Sequence, residues 1–241
     1  MEYPKVLFED KALLVLNKPS GWVVNYVDSA TANPILESWL TENFDYTLAG
    51  DKEFRSGIVH RLDKETSGVL VVAKTKDVFR KLQAQFKDRL VKKEYTALVH
   101  GRVKPAGGVV IVPIGRLPWR RDRFGVLAGG KSAETSYVTR EYYTRDSGKE
   151  DYTLLKVMPR TGRTHQIRVH MKHLGYPIVS DEFYAGRKVS REDRKWCSRL
   201  FLHAKSLEVI HPISGETMTF KSSLPGDLQK VIKLLEKPHE N

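Results

Sequence analysis

Residues Gly57–Ala73 read GIVHRLDKETSGVLVVA, and this stretch decides how the surrounding segment folds. Its second half, Val69–Ala73, is an apolar run that directly follows a Ser-Gly pair, a pattern typical of a buried strand. Its first half places Asp63 between Arg61 and Lys64, two cations that favour the ionised carboxylate. The stretch therefore predicts a carboxylate at the mouth of a buried strand. From the residue types alone, an ordinary surface ion pair is the alternative for Asp63.

Hydrophobic periodicity and turn residues predict the elements on either side of this stretch. Strands are expected at Val6–Asp10, Ala12–Asn17, Val69–Lys74, Glu94–Val99, Val109–Ile114, Ala133–Tyr143, Tyr152–Met158, Leu200–Ile210 and Thr217–Lys221. Helices are expected at Pro34–Asn43 and Pro225–Glu236, and a third is expected to run to about Arg89 with Thr75 as its cap. A fourth is expected to begin at Thr164 or Gly162 and to run to about Leu174. The helix that Thr75 caps is expected to bury a stripe formed by Phe79, Leu82, Phe86 and Leu90. Strands outnumber helices and do not alternate with them, which favours an α+β fold over a doubly wound parallel sheet.

The composition points to a polyanionic partner. The chain has 241 residues, of which 41 are Lys or Arg and 29 are Asp or Glu, for a net charge of +12. Such an excess fits a partner covered in phosphates, with an anionic membrane surface as the rival. No apolar stretch is long enough to span a bilayer, so we expect no membrane insertion. Cys197 is the only cysteine and cannot form an internal disulfide, which suits a cytoplasmic location.

Five segments of the chain resemble the motifs of the RluA family of RNA pseudouridine synthases, and they follow one another in the order that the family has. The central one is HRLDKETSG at residues 60–68, which is similar to the active-site signature of that family. The others are LVLNKPSG at Leu14–Gly21, KKEYTALV at Lys92–Val99, TGRTHQIRVH at Thr161–His170 and LFLHA at Leu200–Ala204. The resemblance spans about Leu7 to Phe220, which is nearly the whole chain.

The resemblance implies one catalytic domain over residues 1–241, with a tail at 237–241 that we expect to fray. It also implies a large mixed, mainly antiparallel sheet with a central catalytic cleft. Many members carry an additional N-terminal S4 RNA-binding domain. Because the first motif begins so early in this sequence, we expect a member without that domain. Nothing in the sequence demands a dimer, so we expect a monomer.

The implied reaction converts uridine in structured RNA, ribosomal or transfer, to pseudouridine. The base is detached at N1 and rejoined through C5, which needs neither an energy source nor a redox carrier, so no cofactor is expected. The resemblance makes Asp63 the catalytic carboxylate. Attack at C1′, attack at C6 and removal of a sugar proton remain open as its role. A uridine in folded RNA must be flipped out of its stack to meet such a group.

Two further catalytic residues are implied. Arg168 matches the position whose guanidinium pairs with the catalytic carboxylate, and a fork of fixed donors suits that task. A solvated basic helix face is the alternative for Arg168. Tyr95 matches a tyrosine placed against the target base, where a ring can stack and a hydroxyl can assist a proton transfer. A half-buried strand tyrosine is the alternative for Tyr95.

We predict that four more residues bind the substrate: Arg61, Leu202, His165 and Lys18. Arg61 would steer the flipped nucleotide or fill its vacated space, and Leu202 would line the uracil pocket, unless it is an ordinary core leucine. His165 shares a helix face with Arg168. Lys18 belongs to a motif that is mainly structural in the family and braces the active loop.

The sequence allows two other classes of protein, a metal enzyme and a non-catalytic RNA-binding protein. A metal enzyme would need ligands that converge, but His165, His170 and His173 do not share one helix face and no cysteine pair exists, so we predict no metal. A non-catalytic RNA-binding protein fits the charge equally well. The segment Trp119–Phe124 interleaves aromatic and basic residues, a pattern that suits RNA stacking as well as an exposed basic loop.

Overall fold

The computed structural model describes residues 2–25, 33–118, 120–146 and 148–238. Contacts divide the chain into two compact units, and each contains strands and helices. Unit 1 comprises residues 1–93 and 204–223, and unit 2 comprises residues 94–203 and 224–241. Trp119 and the end of the predicted frayed tail, residues 239–241, lie outside the described residues. The single domain expected over residues 1–241 stays a prediction.

Unit 1 is built on antiparallel strands that surround the Asp63 segment. Strand β1 pairs with β2, β2 pairs with β3, β3 neighbours β10, and β10 pairs with β11. The elements are β1 (Lys5–Glu9), β2 (Leu13–Lys18), α1 (Leu36–Asn43), a 3-10 turn (Arg55–Gly57), β3 (Ser67–Ala73), α2 (Lys76–Lys87), the greater part of β10 (Leu202–Ile210) and β11 (Thr217–Lys221). All seven residues of β3 are buried, as the apolar run predicted.

The Ser-Gly pair at the start of β3 has a steric cause. Gly68 has a φ of +121°, and a Cβ added there would lie 2.2 Å from the carbonyl oxygen of Ala204. Only a glycine tolerates both that backbone conformation and that approach of another backbone. This position therefore lets β3 lie directly against β10 immediately after the Asp63 segment.

Unit 2 contains an antiparallel array of four strands and a separate hairpin. The array has the order β4-β9-β8-β5, and β6 pairs with β7 in a separate two-stranded sheet. The elements are the greater part of β4 (Lys92–His100), β5 (Gly107–Ile111), β6 (Ile114–Leu117), β7 (Arg120–Val126), β8 (Glu134–Arg145), β9 (Glu150–Pro159), α3 (Gln166–His173), α4 (Arg187–Asp193) and α5 (Gly226–Lys233). Helices α3 and α5 bury apolar side chains in the core of this unit, including Ile167, Met171 and Leu228.

Three predictions about local structure need correction. Leu90 is 52% exposed, because α2 ends at Lys87 and the residue lies beyond the helix face that the stripe assumed. The strand expected at Val109–Ile114 is divided between β5 and β6, since Pro113 cannot donate to a ladder. The segment that contains Phe124 is not a loop but strand β7 of the hairpin.

The α+β class and the mainly antiparallel pairing are confirmed. Thr75 caps α2 as expected, since its side chain accepts a hydrogen bond from the Val78 amide. No helix in the described part of the chain is both long and apolar enough to cross a bilayer.

Candidate functional site

Asp63 opens a tight turn that leads into β3. The Thr66 amide donates to the Asp63 carbonyl oxygen over 3.1 Å, so Lys64 and Glu65 form the corner. Asp63 is partly exposed, whereas Thr66 and every residue of β3 are buried. The carboxylate thus stands at the boundary between solvent and a buried strand, as the sequence predicted.

The segment after β2 clamps this turn through its backbone carbonyls. The Gly21 amide donates to the Lys64 carbonyl oxygen over 2.8 Å, and the Ser20 hydroxyl donates to that of Glu65 over 2.9 Å. Lys18 Nζ donates to the same Lys64 oxygen over 3.2 Å. The motif around Lys18 and the Asp63 motif are therefore neighbours that meet at the turn.

Lys18 has the bracing role that its motif implies, and its predicted contact with substrate stays a prediction. Its side chain is fully buried, and Nζ also donates to the carbonyl oxygens of Pro19 and Trp22, over 3.0 and 2.9 Å. A buried ammonium group is tolerated only where acceptors replace its water. In this structure the charge of Lys18 fixes the shape of the loops around Asp63.

His60 supports β3 from the other end of the motif. Its Nε2 accepts a hydrogen bond from the Val71 amide over 3.0 Å, and its ring stacks on Phe86 at 4.8 Å between centroids. An acceptor nitrogen must be unprotonated, so the imidazole is neutral with its proton on Nδ1. Burial, helped by the charge of Lys93, lowers the His60 pKa to about 3. His60 is thus a structural residue that supports β3.

We expect His60 to make unit 1 sensitive to mild acid. The pKa of His60 is about 3 when folded and near 6.5 when unfolded. Its contribution to stability is therefore complete above about pH 6.5 and is lost as the pH falls towards 3, at up to about 1.4 kcal/mol per pH unit. In urea denaturation at pH 7.5, 6 and 5, His60→Gln should show a shallower loss than the unmodified chain. Equal slopes for the two proteins would contradict this assignment.

Burial also changes the pKa of Lys93, which lies two residues before Tyr95. It is mostly buried at the start of β4, and this burial lowers its pKa to about 8. An ammonium group with a pKa in that range can release or accept a proton near neutral pH. In the sequence, the only sign of this lowered pKa is the run of charged residues just before Tyr95. Such runs are common at exposed ends of strands, so the sign is weak.

Arg168 lies in α3 and forms a buried, two-point ion pair with Asp181. Its Nε donates to Asp181 Oδ2 and its Nη2 to Oδ1, each over 2.8 Å. The two side chains are 6% and 0% exposed. The amides of Phe183 and Tyr184 also donate to Asp181 Oδ1, over 3.0 and 3.2 Å. The guanidinium is therefore held in one orientation, and the alternative of a solvated basic face is wrong.

Asp181 was not anticipated from the sequence. It lies between the apolar pair Ile178-Val179 and the aromatic pair Phe183-Tyr184. These hydrophobic neighbours were the only sign in the sequence that the Asp181 carboxylate would be buried. Both rings lie beside the Arg168 guanidinium, with centroids 5.3 and 5.1 Å from its central carbon. Aromatic faces attract a cation, so these rings add to the restraint on Arg168.

His165 begins α3 in a left-handed conformation, with φ 55° and ψ 21°. Its Nδ1 lies 2.9 Å from the Tyr184 hydroxyl. The rings of Phe124, Phe183 and Tyr184 meet it edge-on, at centroid distances of 5.7 to 5.9 Å. The structure therefore places His165 and Arg168 against the same aromatic pair, although the role of His165 in substrate binding stays a prediction.

The remaining predicted site residues have varied exposure. Tyr95 is partly buried in β4 opposite Val157 and packs on the core of unit 2. Leu202 is 3% exposed and belongs to that same core, which is the ordinary role named as its alternative. Arg61 is exposed, two residues before Asp63. None of their predicted contacts with substrate is tested by these positions.

The histidines considered as metal ligands have other neighbours. His170 is buried, with Nδ1 2.9 Å from the Thr135 hydroxyl and Nε2 3.4 Å from the Val112 carbonyl oxygen. Its pKa is lowered by burial. His173 is exposed at the end of α3. Across residues 2–25, 33–118, 120–146 and 148–238, no three His, Cys, Asp or Glu side chains form a group that could hold a metal ion.

Comparison with known proteins gives the class to which this fold and these motifs belong. The family model described as RNA pseudouridylate synthase matches residues 12–173. An uncharacterized RNA pseudouridine synthase of Chloroflexus aurantiacus is 42% identical over 91% of this chain and 66% of its own length. Ribosomal large subunit pseudouridine synthase D of Pseudomonas aeruginosa is 38% identical over 98% of this chain and 73% of its own length. The chain thus spans about two thirds to three quarters of these relatives.

Solved structures agree with the sequence matches. Human RNA Pseudouridylate Synthase Domain Containing 1 matches with a TM-score of 0.69 and 27% identity, over 92% of this chain and 84% of that one. Human RNA Pseudouridylate Synthase Domain Containing 4 matches with a TM-score of 0.69 and 26% identity, over 97% and 94%. These proteins define a class of isomerases that act on RNA. The chain belongs to this family, the RNA pseudouridylate synthases.

Proposed function

We propose that this chain converts specific uridines in structured RNA, ribosomal or transfer, to pseudouridine, with Asp63 acting on a flipped-out nucleotide. The observation that carries the proposal is the clamped turn. Three donors from Lys18, Ser20 and Gly21 hold the backbone on the C-terminal side of Asp63 while its carboxylate stays partly exposed. A reactive group needs this combination of fixed position and access, because positioning lowers the entropic part of a barrier.

The other two catalytic residues have complementary tasks in this proposal. Arg168, oriented by Asp181, pairs with the Asp63 carboxylate and holds it in position. Tyr95 lies against the target base and assists the proton transfer at C5. The support is the match of all three residues to family motifs, together with the fixed guanidinium. Whether the carboxylate attacks C1′, attacks C6 or removes a sugar proton is left open by these groups.

The remaining assignments concern the substrate. Arg61 contacts the flipped nucleotide or its vacated space, His165 contacts the RNA beside Arg168, and Leu202 lines the uracil pocket. The net charge of +12 supports a phosphate-rich partner. Ribosomal RNA is supported by the name of the Pseudomonas aeruginosa relative, which is 38% identical. We further propose that the chain works as a monomer in the cytoplasm.

Mapping of modified positions tests this function directly. Total RNA is prepared from a strain that lacks the protein, incubated with the purified chain and no added cofactor, and sequenced for pseudouridine. We expect one or a few uridines, in loops or stem-loops of ribosomal or transfer RNA, to be modified to near completion. RNA that is bound but carries no new pseudouridine would instead identify a non-catalytic RNA-binding protein.

A further inference from the structure

A cavity of about 530 Å³ lies in unit 2 between the β6–β7 hairpin, α3 and the segment before α4. Its walls are mostly apolar and aromatic, and cationic side chains stand among them: Leu117, Phe124, Val169, Phe183, Arg123 and Lys172. Its volume is within the range of small-ligand sites, which combine apolar walls with a few placed polar groups. None of the roles assigned above makes use of this cavity.

The hairpin side of the cavity is tied in place. Arg123 Nη1 donates to the Phe183 carbonyl oxygen over 2.6 Å, and the Phe124 amide donates to the Tyr184 hydroxyl over 3.2 Å. These bonds fasten strand β7 to the segment that also carries Asp181. Hydrogen bonds between its walls therefore hold the shape of the cavity.

Charge in the cavity favours an anion. The Lys172 side chain is exposed on the edge of the cavity and makes no hydrogen bond or ion pair with the described residues. Arg123 Nε is buried without a hydrogen-bond partner there. The nearby carboxylate, Asp122, is 57% exposed and lies 3.7 Å from that nitrogen. Two cations and aromatic rings together suit a nucleotide, whose phosphate needs the charge and whose base stacks on rings.

The cavity shares two walls with the Arg168 ion pair. Phe183 and Tyr184 line the cavity, and both rings lie within 5.3 Å of the Arg168 central carbon. We propose that this cavity binds an unstacked nucleotide that flanks the target uridine, with Lys172 on its phosphate and the ring surfaces on its base. The inference rests on the proposed function and deepens it, because it gives the chain a way to read sequence or shape next to its target.

Two substitutions test the cavity, each with a matched control. Val126→Trp enlarges an exposed residue on the edge of the cavity, and Val189→Trp does the same at an exposed valine of α4 outside it. Lys172→Gln removes the charge on the edge, and Lys233→Gln removes one from an exposed lysine of α5. The four variants should melt within a few degrees of the unmodified chain.

The probe is a single-stranded ten-residue oligouridylate, whose affinity is measured by fluorescence anisotropy at three salt concentrations. We expect Val126→Trp and Lys172→Gln to weaken binding about 5- to 10-fold and both controls to change it less than about 2-fold. Loss of one phosphate contact should also reduce the log-log salt slope of Lys172→Gln by about 0.7. Ultraviolet cross-linking followed by mass spectrometry should place nucleotide adducts on peptides that contain Phe124 or Phe183.

Either of two results would overturn the proposal: both cavity variants binding like their controls, or Lys172→Gln alone weakening binding with adducts only outside the cavity. The latter would reduce Lys172 to a surface cation. The measurement does not depend on turnover. If the unmodified chain bound RNA but formed no pseudouridine, the proposed function would fail while the cavity could still be judged from binding.

Discussion

Asp63→Asn is expected to reduce pseudouridine formation at least about 100-fold while leaving RNA affinity within about 2-fold of the unmodified chain. An amide has nearly the shape of the carboxylate but neither attacks a carbon readily nor accepts a proton, and positioned acid–base groups typically contribute factors of 100 to 10,000. The side chain is partly exposed, so the fold should tolerate the change. Single-turnover assays on the RNA identified by mapping would measure the effect.

Glu65→Gln is the matched control for this variant. Glu65 lies in the same turn, and its backbone carbonyl accepts a hydrogen bond from Ser20, a contact that the Gln substitution leaves in place. We expect activity within about 3-fold of the unmodified chain. Full activity of Asp63→Asn would remove Asp63 from the reaction, and equal losses in the two variants would indicate a distorted turn rather than lost chemistry.

Asp181→Ala should have the second largest effect, and on stability as well as activity. It removes the Asp181 carboxylate that two hydrogen bonds hold against the Arg168 guanidinium, whose side chain is 6% exposed. Removing one partner of a buried pair typically costs about 3–5 kcal/mol, because the other charge stays buried and loses the group that offset its desolvation. Urea denaturation at pH 7.5 should show this loss in the free energy of unfolding. Under conditions where the variant is folded, the proposed role of Arg168 predicts a lower turnover rate.

Glu134→Ala is the control that shows how much stability is lost when an exposed ion pair, rather than a buried one, is broken. Glu134 pairs with Arg160 over 3.2 Å, but the Arg160 side chain is 60% exposed. Exposed pairs contribute about 0–1 kcal/mol, so this variant should lose far less stability than Asp181→Ala. Similar losses in both would mean that the Asp181 pair is no more important to the fold than a surface contact.

Prediction from sequence succeeded where a pattern was local. Thr75 and the amphipathic run after it indicated α2, and the apolar run after Gly68 indicated β3, because capping and burial depend on neighbouring residues. The β6–β7 hairpin and α4 were missed. The hairpin strands carry charged and aromatic residues without clear alternation, and α4 has only seven residues. In both, tertiary contacts rather than local propensity decide the structure.

The site shows the same division. Asp63 and Arg168 stand in recognisable motifs, whereas the residue that orients Arg168 lies 13 positions later in an irregular segment. No helix or strand period connects Asp181 to Arg168, so only the folded chain brings their charges together. Lys18 illustrates the converse: its motif was recognised, but a lysine at the end of a strand gives no sign that it will be wholly buried.

The neighbourhood of β3 and β10 has a consequence for biosynthesis. Unit 1 needs residues 204–223, which leave the ribosome only after the whole of residues 94–203 has been made. The nascent chain must therefore keep the apolar face of β3 from aggregating until its late neighbour arrives. Such long-range pairing slows folding, and it ties the formation of the segment around Gly68 to the prior synthesis of residues 94–203.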